Sequence, residues 1–118
     1  DLPTELFRKM RTDGKEFLMN ASSREGTRIS IDNKSSFLYS IIQVSAKDFP
    51  GLLFKLTDAF FQSGVSVCRA QISTQGDRVE DAFHVKDLNG QKLMTQAQLS
   101  VLKLAIEKAF PGMRWEIK

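Results

Sequence analysis

The chain has one cysteine, one histidine, and no apolar run near the roughly 20 residues that cross a bilayer. Each scarcity excludes a class of function. A lone Cys68 cannot form an internal disulfide, and it points to a reducing, cytoplasmic setting. A lone His84 has no Cys or His companion at useful spacing, so no metal site of three protein ligands is expected. No signal peptide is visible, and no membrane partner is expected. Charge of one sign is also scarce. The 17 basic and 14 acidic residues leave a net +3, without the concentrated patch of a dedicated nucleic-acid binder. Glu80 and Asp81 are strand neighbours that point to opposite faces and cannot share a substrate. No acid–base or nucleophile constellation emerges, so no catalytic residue and no cofactor is assigned.

What is present is an ordinary globular composition, 42% apolar and 26% charged, over 118 residues. That length suits one domain with one modest core. The chain begins at Asp1 and not at Met, which reads as a piece of a longer protein. Residues 1–36 read as an N-terminal extension or connector. They carry a weak helix within 3–19, a loop at 20–26, a short alternating strand at 27–31 and a turn at 32–36. Residues 37–118 form the main unit.

Within that unit the periodicities give β-α-β-β-α-β. Leu38–Ser45 alternates, with Ser40, Ile42 and Val44 on one face and Tyr39, Ile41 and Gln43 on the other. Residues 51–63 carry a helical apolar stripe that Gly64 ends. Strands 65–74 and 79–86 make a hairpin, within which Cys68 reads as a small buried hydrophobe. Asn89-Gly90 marks a tight turn. Thr95 and Gln98 make a capping box for a helix running to Phe110, and 113–117 is a last strand. The order is the α+β, ferredoxin-like split βαβ, an antiparallel sheet with both helices on one face. The other face would carry Ile41, Gln43, Val67, Arg69, Gln71, Ala82 and His84 as an interface for a second copy or a neighbouring domain. Whether strand 27–31 or strand 113–117 takes the sheet edge is left open.

The stretch Asp48-Phe49-Pro50-Gly51-Leu52-Leu53 is the best candidate site. Asp48 can cap the helix, Pro50 suits helix entry, and Gly51 lets another group approach its backbone. Free amides at a helix start can hold a carboxylate. The same turn inside a βαββαβ frame resembles an ACT domain, over roughly residues 38–110. Thr27–Asn33, Ala70–Val85 and Asn89–Lys92 make the chain most similar to the C-terminal ACT domain of bifunctional PII-protein uridylyltransferase/uridylyl-removing enzymes. Plant ACT-repeat proteins share much of this pattern. The resemblance implies a regulatory module that binds a small amino acid, glutamine above all, between two ACT domains. Leu52 and Leu53 amides would receive its carboxylate, Asp48 its ammonium, and Ser66 would lie within reach. Phe49 stands where the family often has Arg, and Ser66 where it often has an amide side chain. Two alternatives remain beside this. One is a ligand-free assembly module. The other is an RNA-binding module of the same frame, although the third strand offers Ala82 and His84 outward and no stacking aromatic.

Overall fold

A computed structural model describes residues 26–118. The expected helix within 3–19 lies outside the described residues. Eight elements follow in order: β1 (Arg28–Asp32), β2 (Ser40–Lys47), α1 (Leu52–Gln62), β3 (Val65–Gln71), β4 (Thr74–Gln75), β5 (Arg78–Asp87), α2 (Gln96–Ala109) and β6 (Arg114–Ile117). This is the α+β, ferredoxin-like frame that the periodicities predict.

The sheet runs β3-β5-β2-β1-β6, with β4 pairing β5 outside that path. The open edge question is therefore answered. β6 is an edge strand, and β1 lies between it and β2. The sheet is also mixed where wholly antiparallel pairing was expected. β1 runs antiparallel to β2, and β6 runs parallel to β1. The geometry explains this. β6 keeps a direction opposite to β2, and β1, inserted between them, already has that direction.

Alternation builds the core. Ser40, Ile42, Val44 and Ala46 of β2 are buried, while Ile41, Gln43 and Ser45 lie on the open face. In β5, Val79, Asp81, Phe83 and Val85 face inward. Leu52, Leu53, Leu56 and Phe60 of α1, with Leu102 and Ile106 of α2, close over them. Phe60 and Phe83 meet edge to face, with centroids 5.3 Å apart. The buried Ser40 hydroxyl is satisfied: it donates to Asn33 Oδ1 and accepts from the Leu93 amide at 2.9 Å. Such pairing removes most of the cost of a polar group in the core.

The capping box is formed. The Gln98 amide donates to Thr95 Oγ1 and the Thr95 amide donates to Gln98 Oε1, both at 3.1 Å. Among the described residues, no helix is long and apolar enough to cross a membrane.

Two expectations on β3 fail for one reason. The register shifts between Val67 and Arg69, so Cys68 is an extra residue opposite β5. Val67 pairs with Val85 and is buried at 6% exposure, so it belongs to the core and not to the open face. Cys68 is pushed out of alternation and is exposed, where a buried position was expected. Arg69 and Gln71 then reach the open face opposite His84 and Ala82.

Candidate functional site

The Asp48–Leu53 turn leaves β2 and enters α1 at one end of the sheet. The Asp48 amide donates to the Asp77 carbonyl at 2.7 Å, which ties this turn to the β4–β5 connection. The helix N-cap position is Gly51, not Asp48, and it has no side chain with which to cap. Gly51 is buried, with φ at 85°, in the left-handed region. An L-residue there brings Cβ against the next carbonyl, so the backbone conformation favours glycine. The Leu52 amide turns back to the Phe49 carbonyl at 3.2 Å, and the Lys55 amide reaches the Gly51 carbonyl at 3.0 Å. Pro50 is exposed and Asp48 half-buried, whereas Leu52 and Leu53 are buried.

Phe49 is placed differently from a ligand contact. Its ring is 7% exposed and sits edge to face with Phe110, centroids 6.2 Å apart. An apolar side chain here is held by Phe110 at the end of α2. Ser66 is also separated from the turn. It pairs with Lys86, while Lys47, just before Asp48, pairs with Arg78. Along β5 those partners are eight residues apart, about 27 Å at the usual strand rise. One chain therefore does not bring Ser66 to the helix entry.

On the open face, Ile41, Gln43, Arg69, Gln71, Ala82 and His84 share one surface. It is largely polar. His84 sits edge to face with Tyr39 at 5.6 Å, and Lys86 Nζ lies 4.9 Å over the Tyr39 ring. The larger exposed apolar groups lie elsewhere, a feature that the alternation of the strands did not reveal. Phe61 is 80% and Leu88 78% exposed, and both line a groove beside β3 with Phe54 and Val65. Phe54 and Phe61 had a signal in the sequence, as α1 residues off the main apolar stripe, whereas Leu88, in the turn after β5, had none. Among the described residues, no group of three His, Cys, Asp or Glu side chains could hold a metal ion.

Three titrating groups give the domain a signed pH dependence. The Ser35 hydroxyl, at 2.5 Å, and the Lys34 and Ser35 amides hold the Asp32 carboxyl below its usual range. The Gln91 amide lowers Asp87; burial opposes this, and Gln98 and Asn89 add to the lowering. Burial first, then Arg69, lowers His84. Each group is held in its deprotonated form by the fold, so each contribution is present at neutral pH and lost on acidification. The melting temperature should be level above about pH 7. It should fall as pH drops below about 6.5, where unfolded histidine takes up a proton, and fall again below about 4. A melting series from pH 8 to 3 checks this. His84→Gln should remove the first decline and Asp87→Asn should shrink the second.

The family model "ACR family N-terminal ACT domain" matches residues 34–112. The bifunctional uridylyltransferase/uridylyl-removing enzyme of Rhodospirillum rubrum is 37% identical over 82 residues, covering 70% of this chain and 9% of the relative. That of Ruegeria pomeroyi is 40% identical over 83 residues, with the same coverage of 70% and 9%. That of Bradyrhizobium sp. strain ORS 278 is 34% identical over 106 residues, covering 80% and 11%. The chain thus spans about a tenth of the length of these curated relatives. No solved structure matches it. With a family model covering most of its length, on the expected frame of strands and helices, the chain belongs to the ACT-domain family.

Proposed function

We propose that this is a non-catalytic regulatory domain that binds a small amino acid, glutamine first among candidates, where two ACT modules meet. It would control an attached uridylyltransferase of the kind its relatives are named for, in the cytoplasm. The observation that carries the reading is the helix entry. A buried Gly51 at φ 85° opens α1 beside Asp48, and this turn lies within the segment matched to the ACT family. A carboxylate at the start of α1 is favoured by the helix dipole and by first-turn amides other than that of Leu52, which already donates to the Phe49 carbonyl. Asp48 supplies the complementary charge for an ammonium.

The sheet supports a shared site. β3 is an edge strand, with Phe61 and Leu88 exposed beside it. Such an edge presents unpaired backbone groups to a second strand. Antiparallel pairing of two β3 edges would bring the second module's Ser66 to the end of the sheet where α1 begins. The separation of Ser66 from Asp48 within one chain then becomes a reason for two modules. The same edge also fits the alternative of an assembly module without ligand.

Asp48→Ala separates these readings. Calorimetry with L-glutamine should show affinity falling about tenfold or more, as for a lost charge-assisted hydrogen bond of about 1.5–3 kcal/mol. Equal affinity in wild type and variant would remove Asp48 from the site. Dimerisation through β3 without glutamine binding by either protein would favour the assembly module.

A further inference from the structure

The open face of the sheet carries a pattern that the helix-entry site does not use. β6, β1, β2 and β5 align four residues in one cross-strand row, Arg114–Arg28–Ser45–Glu80. The next row holds Glu116, Ser30, Gln43 and Ala82. Between them lies a groove of about 670 Å³. Arg28 and Arg114 are exposed, adjacent in register, and on the same face. Like charges facing each other across strands destabilise a sheet. Among the described residues, neither guanidinium meets a carboxylate at ion-pair distance.

The rest of the groove is fixed by hydrogen bonds. Ser45 Oγ donates to Glu80 Oε2 at 2.6 Å and accepts from Arg78 Nη2 at 3.1 Å. Gln43 Oε1 accepts from Lys118 Nζ at 2.9 Å and from Ser30 Oγ at 3.4 Å. With its oxygen so engaged, the Gln43 amide nitrogen is left to donate.

We infer that this groove is a second binding site, for a zwitterionic amino acid, on the sheet face opposite the helices. Two guanidinium forks in register match the two oxygens of a carboxylate, a pairing that a single lysine cannot make. Glu80 lies two strands from Arg28, about 10 Å between backbones. Side chains of this length can close that span on a molecule with separated charges. Glu80 and Glu116 suit its ammonium, and the same carboxylates disfavour phosphate or a nucleic-acid backbone. Tyr39 is no stacking platform, because Lys86 and His84 already occupy its ring. The site does not depend on the helix-entry reading and shares no residue with it.

NMR titration of the chain with L-glutamate tests it, with glutarate, which lacks the ammonium, and inorganic phosphate as comparisons. L-Glutamate should shift the amides of Ser30, Gln43 and Ser45. Arg28→Gln and Arg114→Gln should each weaken binding about tenfold, with melting temperatures unchanged or raised, showing that the fold is kept. Glutarate should bind more weakly than L-glutamate, and Glu80→Gln should narrow that difference. The inference is overturned if these amides do not move, if glutarate or phosphate binds as tightly as L-glutamate, or if both arginine variants bind like wild type. Shifts at Gly51–Leu53 in the same spectra report on the other site separately.

Discussion

Phe83→Ala should cost about 3–5 kcal/mol, the usual range for emptying a phenylalanine site in a packed core. Phe83 is fully buried at the centre of β5, between the strands that pair it on each side. Its ring meets Phe60 of α1 edge to face, so one truncation loosens the sheet and the helix that covers it. A domain of this size has about 5–15 kcal/mol of stability in all. The variant should therefore unfold at much lower denaturant, or lose its cooperative transition. Urea unfolding followed by circular dichroism reads the shift, and Phe61→Ala is the control. Phe61 is on the same helix but 80% exposed, and its loss should change stability by less than about 0.5 kcal/mol.

Gly51→Val has the second large effect, because two costs fall on one atom. Its φ of 85° is unfavourable for any L-residue by about 1–2 kcal/mol. The position is also buried, so the added branch must displace neighbours, typically at about 1–3 kcal/mol. Gly51→Ala keeps the first cost and reduces the second, so it should be milder than Gly51→Val. Gly76→Ala isolates the conformational part. Its φ is 63°, and a Cβ there would meet nothing within 4 Å. Urea midpoints should fall in the order Gly76→Ala, Gly51→Ala, Gly51→Val. If Gly51→Val were no worse than Gly76→Ala, the helix entry would be looser than its burial indicates.

The readable parts of this fold are those set by neighbours in sequence. The alternation of β2 sorted Ile42 and Val44 from Ile41 and Gln43 because only one face is buried. Thr95 and Gln98 announced α2 because a capping box is complete within four residues. Long-range pairing was not readable. Nothing near Thr27–Ile31 says that β1 will part β2 from β6; only the partner strands decide that. The bulge at Cys68 carries no glycine to mark it, and it alone moved Val67 into the core and Cys68 out. At the candidate site, the turn itself was legible from Pro50 and Gly51. The place of Phe49 was not, since its partner Phe110 lies at the far end of α2. The separation of Ser66 from Asp48 follows from strand directions, which fix the two at opposite ends of β5.

The central claim is that an amino acid meets the amides at the start of α1, and amide-resolved NMR titration with L-glutamine tests it most directly, on this chain alone and joined to a neighbouring ACT module. Saturable shifts are expected at Gly51, Leu52 and Leu53 in at least the joined form, reduced by Asp48→Ala. Those three amides staying fixed in both forms at millimolar L-glutamine, whatever other amides do, would contradict it.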